Sequence, residues 1–280
     1  MSFSTHGFLS PELEKFRATL RSVPTYKAWF ELGDDLNRFG HEMVDGLDVP
    51  LDDNQRLTIA GLFVRAHKSL QTAILLAEMG LVGDARTVLR SAVEGAIALN
   101  ALANDPTFLD QLCEAHYVNQ RKKARLVLAN PDYRTTYSTA QIVEMQTTIK
   151  EVDAKEKVAA RKLGDINWAD IAQKHCKNLY DLLYRLLSSD GTHTTLDSIN
   201  RVFEYDVHTK QIIGIKVGPD IANLVETLKA ACLMFLWAAD PFARAYSQAE
   251  TSARIQKMMQ RFIALPQDEP NATVVPNFQK

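Results

Sequence analysis

The segment from Thr87 to Ala103 constrains the fold more than any other part of this sequence. It reads TVLRSAVEGAIALNALA, and Arg90 and Glu94 are its only charged residues. Apolar residues face almost every other direction around such a helix, which is typical of a helix buried in a bundle. Arg90 and Glu94 lie one turn apart on one face, and a buried charge has to be paired or used. The segment therefore predicts an all-α, antiparallel multi-helix bundle that holds a polar pair.

Composition limits the class of protein. The chain has 280 residues, 46% of them hydrophobic, and a net charge of −2, so no overall basic field points to nucleic acid. Its three cysteines are far apart, form no C-x-x-C motif and indicate a reducing compartment. The first residues lack a signal-peptide pattern, and the uncharged stretch over residues 230–239 is too short for a membrane span. We expect a cytoplasmic protein that makes no membrane contact.

Prolines, glycines and capping residues divide the chain into three parts. We expect N-terminal helices over residues 1–50 that pack on the core, a helical bundle domain over 51–262 and a loose tail over 263–280. The links between predicted helices are short, and short links make neighbouring helices antiparallel. The polar helix predicted over 139–162 is either solvated or projects from the bundle.

Three later patterns refine this picture. An apolar helical period runs from Trp168 to about Asp190 and predicts one helix. Alternating apolar residues near 202–217 predict one small β-hairpin insertion. Pro219-Asp220 is expected to open a helix that ends near residue 239, and Asp240-Pro241 to start another.

Three stretches of the sequence together carry the pattern of a known family. The first, from Arg65 to Pro106, has the family's two helices joined by a glycine turn, with Arg and Glu one turn apart on the second helix. The others are the tyrosine-rich YDLLYRLLSSDGTH, which ends at His193, and the following TTLDSI. With these stretches the sequence resembles a bacterial family known only as a domain of unknown function, DUF5677, and the resemblance implies an all-helical bacterial protein with no assigned reaction.

More loosely, such small bundles are similar to toxin and antiphage proteins of the HEPN superfamily. HEPN ribonucleases carry an Arg followed, four to six residues later, by a His near a helix start. Arg185 and His193 are too far apart for this spacing. Arg201 and His208 have it, but they lie in the predicted hairpin, so we interpret that match as chance.

The candidate catalytic residues are Arg90, Glu94 and His193. Arg90 can bind an anionic group bidentately, Glu94 can orient it or act as a base, and His193 can transfer a proton. Side chains expected to bind a ligand beside them are Arg86, Ser189 and Asp190. The alternative is that Arg90 and Glu94 only fix helix packing, that Arg86 is solvent-exposed near its helix start, and that Ser189 or His193 caps a helix.

A second candidate surface is basic and partly aromatic. His116, Tyr117 and Arg121, with the cations that follow Arg121, form the pattern expected of a single-stranded nucleic acid site. The alternative is the ordinary solvated face of an amphipathic helix. Either surface makes RNA or a nucleotide a possible ligand.

Common catalytic motifs are absent from the sequence. It contains no P-loop, G-x-G-x-x-G, G-x-S-x-G or H-E-x-x-H pattern, and Asp190-x-x-His193 alone makes no di-metal site, so we expect no cofactor and no metal. Two hypotheses remain. The protein binds or cleaves a phosphate-bearing ligand such as RNA in stress or phage defence, or it is a non-enzymatic scaffold that recruits a partner or a second copy as a homo-oligomer.

Overall fold

The computed structural model describes residues 2–191, 196–206, 209 and 211–270. Residue contacts divide the chain into two compact units, Met1–Asn104 with Ala172–Lys280 and Asp105–Ile171. The predicted boundaries at residues 50 and 262 do not coincide with this division and stay predictions. Among the described residues, no helix combines the length and apolar composition that crossing a membrane requires.

The described residues are mostly helical, with one two-stranded sheet, which confirms the all-α bundle with a small hairpin. In chain order the elements are α1 (Phe3–His6), a 3₁₀ turn (Gly7–Leu9), α2 (Glu12–Ser22), α3 (Pro24–Val44), α4 (Asn54–Glu78), α5 (Val82–Asn104), α6 (Phe108–Ala129), α7 (Pro131–Thr135), α8 (Thr139–Ala159), α9 (Trp168–His175), α10 (Lys177–Leu179), a π-helix (Tyr180–Tyr184), α11 (Arg185–Gly191), α12 (Leu196–Asn200), β1 (Phe203–Tyr205), β2 (Ile212–Ile215), α13 (Leu224–Ala245) and α14 (Ala249–Ala264).

The core of the larger unit is built around α4, α5 and α13, with α3 against them. Helix α5 is buried along most of its length, as its apolar sequence predicts. The link from α4 to α5 turns at Gly80, whose φ of 75° favours glycine. A side chain at this position would also collide with Pro219, since an added Cβ would lie 2.4 Å from the Pro219 Cβ. The tight link folds α5 back along α4.

The prediction of two helices around Pro241 is wrong, because α13 continues through this proline as one helix. Proline has no N–H to donate to the carbonyl four residues earlier, which normally breaks a helix. That carbonyl belongs to Trp237, and it accepts a hydrogen bond of 3.0 Å from the Nδ2 of Asn100 on α5. A buried side chain from another helix thus replaces the missing backbone donor. Helix α13 also begins at Leu224, later than Pro219-Asp220 predicts.

The region from Trp168 to Gly191 is interrupted, whereas the sequence predicts a single helix. Cys176 leaves the helical conformation, with φ −163° and ψ 53°. After the short α10, the chain makes the π-helix before α11 begins at Arg185. This wider turn changes the direction in which the following side chains point.

The predicted hairpin is confirmed. Strands β1 and β2 pair antiparallel, with Phe203 opposite Ile215 and an irregularity after Glu204. Both faces of β2 carry exposed isoleucines.

Within the predicted loose tail, the residues after α14 contact helices of the larger unit. Trp29 donates its Nε1–H to the Pro266 carbonyl at 2.8 Å, and the Val225 N–H donates to the Glu269 carboxylate at 2.7 Å. Residues 271–280 lie outside the described part of the chain.

In the smaller unit, α6 packs against α8. Ser138 and Gln141 form a capping box at the start of α8. This helix ends at Ala159, where the sequence predicts an end near residue 162, because Ala160 adopts a left-handed conformation.

Candidate functional site

Arg90 and Glu94 lie on α5 with their side chains facing one another. The Arg90 NH1 is 3.5 Å from the Glu94 Oε1, and the two side chains are 20% and 26% exposed. They are therefore neither sealed in the core nor free on the surface. Because the order Arg then Glu is the weaker one for an isolated pair, other residues have to hold this geometry.

Two hydroxyl side chains supply the missing contacts. The Tyr184 hydroxyl accepts a 2.9 Å hydrogen bond from Arg90 NH2 and donates to Glu94 Oε1 at 3.1 Å. The Ser188 hydroxyl accepts from Arg90 Nε at 3.3 Å and donates to the Tyr184 carbonyl at 2.6 Å. We call these four residues, Arg90, Glu94, Tyr184 and Ser188, the Arg90 cluster. Sequence reasoning missed Tyr184 and Ser188, although both lie in the tyrosine-rich motif.

The π-helix delivers Tyr184 to this position. Tyr184 is its last residue, and its ring stacks on that of Tyr180 with centroids 4.8 Å apart. The Arg90 guanidinium carbon lies 5.0 Å from the Tyr184 ring centroid, within cation–π range. Burial, with a smaller contribution from Glu94, raises the pKa of Tyr184, so its hydroxyl stays protonated and able to donate to a higher pH than that of an ordinary tyrosine.

Arg86 is buried rather than solvent-exposed. Its side chain is 1% exposed, its NH2 donates to the Leu186 carbonyl at 3.4 Å, and its NH1 lies 3.7 Å from Glu226. The expectation of exposure near a helix start is therefore wrong, because α11 and α13 both approach this first turn of α5. Arg86 places a second cation one turn before Arg90.

The remaining candidates of this group cannot be placed beside Arg90. His193 lies outside the described residues. The backbones of Ser189 and Asp190 belong to α11, but their side chains are outside what the structure describes. Within the described part of the chain, no group of three or more His, Cys, Asp or Glu side chains is arranged to hold a metal ion.

The basic strip of the smaller unit is neutralised by nearby carboxylates. Arg121 makes two hydrogen bonds to Glu156, at 2.7 and 2.8 Å, and one of 2.9 Å to Asp153. These contacts raise the pKa of Arg121, and its hydrogen bonds lower that of Glu156 to about 2. Tyr117 lies under the Lys155 ammonium at 4.6 Å, and its ring is 6.0 Å from that of His116. This balance of charge does not favour phosphate binding by His116, Tyr117 and Arg121.

A polar cleft in the larger unit was not predicted from the sequence. It has a volume of about 530 Å³ and is lined by side chains of α2, α3 and α4. Its buried carboxylate, Glu78, is 2% exposed and receives hydrogen bonds from two arginines. We call the following group the Glu78 cleft: Arg17, Arg21, Asp34, Asn37, Gln71 and Glu78.

A comparison with models of protein families matches residues 57–211, more than half of the chain, to a family described as a family of unknown function (DUF5677). The chain belongs to this family. The DUF5677 match contains the whole Arg90 cluster, whereas α2, α3 and α13 lie outside it. Comparisons with curated proteins and with solved structures found no match. The comparisons do not show the similarity to HEPN bundles, which therefore stays a prediction.

Proposed function

We propose that this protein binds a phosphate-bearing ligand, RNA in the first instance, at the Arg90 cluster. The observation that carries the proposal is the state of the Arg90 guanidinium. Its orientation is fixed by two neutral hydroxyls and one carboxylate, while a fifth of the side chain stays exposed. A fixed guanidinium with unused N–H groups is suited to phosphate oxygens.

The surroundings of the cluster favour a nucleic acid over a small phosphate. Arg185 follows Tyr184 directly, and its side chain is 70% exposed. Its guanidinium carbon lies 5.8 Å from the Tyr180 ring. Cations next to tyrosine rings are the arrangement that single-stranded nucleic acids bind through phosphate contacts and base stacking.

The π-helix also supports a ligand site rather than packing alone. A π-helical turn is rare in proteins, and such turns occur frequently at functional sites. Here it places the Tyr184 hydroxyl between Arg90 and Glu94. In the catalytic form of the proposal, for which RNA cleavage in stress or phage defence is the expected role, Arg90 neutralises the phosphate. Glu94 orients Arg90 or His193, and His193 transfers a proton.

The competing function is a non-enzymatic scaffold. It is favoured by the fact that Arg90 Nε, NH1 and NH2 all have contacts within the chain. In that case the cluster joins α5 to α11 and binds nothing.

A salt-dependent RNA-binding experiment distinguishes the two functions. Binding of a labelled single-stranded RNA is measured for the unmodified chain, Arg90→Met and Arg65→Met. Arg65 is the matched control because it is an exposed arginine that, like Arg90, donates to a serine hydroxyl, that of Ser91, at 2.9 Å. If Arg90 contacts phosphate, Arg90→Met weakens binding and reduces the salt slope by about 1, while Arg65→Met leaves the slope unchanged.

Equal binding by both variants, at equal folded fraction, would support the scaffold instead. RNA integrity after incubation with the unmodified chain and with His193→Ala tests the catalytic form separately. Cleavage that His193→Ala retains would remove His193 from the mechanism without affecting the binding site.

A further inference from the structure

The Glu78 cleft has two ends with different chemistry. At one end Arg17 and Arg21 both donate to the Glu78 carboxylate, and Arg21 makes two hydrogen bonds, of 2.8 and 3.2 Å, to Asp34. Among the side chains that line the cleft, two guanidinium groups therefore face two carboxylates, and their charges cancel; Arg17 also bonds to the exposed Glu14, which is not part of the lining. Such a network explains how α2 is tied to α3 and α4. It does not explain the other end, which consists of the amides of Asn37 and Gln71.

A buried histidine fixes which way the Asn37 amide points. His67 Nε2 lies 3.0 Å from the Asn37 backbone carbonyl and 2.9 Å from its Oδ1, and a carbonyl can only accept, so Nε2 is the donor. The imidazole can approach α3 this closely because residue 40 is glycine, where an added Cβ would lie 2.7 Å from the ring. Gln71 Nε2 donates to the same Oδ1 at 2.8 Å. With two donors on Oδ1, the Asn37 Nδ2 group has to point the other way.

The same network fixes the Gln71 amide. Its Nε2 contacts both Asn37 Oδ1 and His41 Nε2, at 2.8 and 3.3 Å. Its Oε1 is therefore the atom left over. Among the residues that the structure describes, no hydrogen-bond partner is found for Asn37 Nδ2 or Gln71 Oε1, and both side chains line the cleft. The cleft thus presents one oriented donor and one oriented acceptor.

We propose that the Glu78 cleft binds a small zwitterion of the α-amino acid type. The carboxylate of the ligand accepts from Asn37 Nδ2 and from the one remaining N–H of Arg21, on Nη1, while its ammonium donates to Gln71 Oε1 and Asp34. The balanced charge of the cleft disfavours a ligand with net charge and accommodates one whose charges also cancel. The volume of about 530 Å³ lies within the range of small-molecule sites.

The apolar part of the cleft suggests what the ligand's side chain resembles. Ile74 and Leu75 line it beside Gln71, and Leu75 is 55% exposed. An exposed leucine next to a polar site offers a surface for an aliphatic group. An aliphatic amino acid is therefore the first ligand to test, and this inference does not depend on the proposed function at the Arg90 cluster.

Calorimetric titration of the full chain with L-leucine tests the proposal. Two analogues isolate each charge, since 4-methylpentanoate lacks the ammonium and 3-methylbutylamine lacks the carboxylate. We expect leucine to bind, and we expect the affinity of each analogue to be at least roughly tenfold lower than that of leucine. The proposal would be overturned if no aliphatic amino acid gave binding heat at concentrations up to about 10 mM. It would also be overturned if either analogue bound as tightly as leucine.

Two neighbouring variants connect binding to the cleft. Gln71→Leu removes the unused acceptor and should weaken leucine binding roughly tenfold or more. Thr72→Val is the control, because Thr72 is exposed and its hydroxyl bonds to the Lys68 carbonyl in the same helix. Asp34→Asn keeps the shape of the charged end but leaves it with one positive charge in excess, so leucine should bind more weakly relative to the anionic 4-methylpentanoate. Unaltered leucine affinity in folded Gln71→Leu would place the ligand elsewhere.

Discussion

The Arg90 cluster and the Glu78 cleft both pair arginine with glutamate on long helices, yet they differ in burial and in partners. Glu78 is 2% exposed, and its carboxylate is enclosed by two guanidinium groups. Glu94 is 26% exposed and shares Arg90 with two neutral hydroxyls at longer distances. A buried carboxylate that loses its partners is costly, whereas a part-exposed one can turn to water. The difference indicates that Glu78 holds the fold, while the Arg90 cluster is open to a ligand.

The largest expected effect comes from removing the Glu78 charge. Glu78→Gln removes the carboxylate that accepts hydrogen bonds from both arginines, which keep only the more exposed Glu14 and Asp34 as partners, and we expect the free energy of unfolding to fall by about 3 kcal/mol. Arg90→Met should cost about 1 kcal/mol, because its partners remain hydrated. Urea unfolding followed by circular dichroism measures both values. Glu14→Gln is the control, since Glu14 bonds to Arg17 but its side chain is 78% exposed.

Equal losses for Glu78→Gln and Arg90→Met would break the comparison. In that case the Arg90 cluster would be as structural as Glu78, and the scaffold function would gain support. Little loss in either variant would mean that neither pair holds the bundle together.

The sequence revealed only one of these two groups, and the reason is physical. Arg90 and Glu94 lie within one turn of an apolar helix, so their pairing can be predicted from local spacing. The partners of Glu78 lie 57 and 61 residues away, and Tyr184 lies 94 residues from Arg90. Such contacts depend on how helices pack, which a single helical period does not encode.

The same limit explains the errors within helices. A π-helical turn contains one residue more than an α-helical turn. The apolar pattern around Tyr180 does not reveal this extra residue, so it predicts an ordinary α-helix. Pro241 predicts a break because the compensating residue, Asn100, lies 137 positions in the sequence from Trp237, whose carbonyl it bonds. The bundle and its hairpin can be predicted from local patterns, whereas the roles of Tyr184 and Ser188 depend on tertiary contacts.

Helix α5 also carries the polar residue Asn100, which is buried, whereas Arg90 on the same helix is partly exposed. Asn100 therefore tests the effect of burial within one helix. Asn100→Leu keeps the size of the side chain but leaves the Trp237 carbonyl without its donor, and we expect unfolding to become easier by about 2 kcal/mol. The exposed Asn119→Leu should change stability by less than about 0.5 kcal/mol. Urea unfolding again gives both values.

A second substitution tests the cause of that loss. Pro241→Ala restores a backbone N–H four residues after Trp237, so it should recover much of the stability of Asn100→Leu. The same change in the unmodified chain should have a smaller effect, because the carbonyl already has a partner. Absence of any such coupling would show that Asn100 does not compensate for the proline.

The smallest expected effect is the change in stability as the Tyr184 hydroxyl titrates. The residues that define the Glu78 cleft include no tyrosine. The folded state raises the pKa of Tyr184 above its ordinary value of 10, first through burial and then through Glu94. Folding therefore favours the neutral phenol. The contribution of this effect to the free energy of unfolding is fully present below pH 10 and is lost as the pH rises through the raised pKa. Tyr184→Phe should remove this part of the alkaline loss of stability.

Glu94→Gln separates the two causes of the shift. Removing the neighbouring negative charge should bring the pKa of Tyr184 closer to its ordinary value while leaving the effect of burial in place. Tyr26 and Tyr246 also have raised pKa values, so the tyrosinate absorbance of Tyr184→Phe has to be subtracted from that of each chain. A Tyr184 titration that Glu94→Gln leaves unchanged would mean that the 3.1 Å contact between their oxygens is not maintained in solution. The Arg90 cluster would then be looser than its hydrogen bonds indicate, and its guanidinium less well oriented for a phosphate.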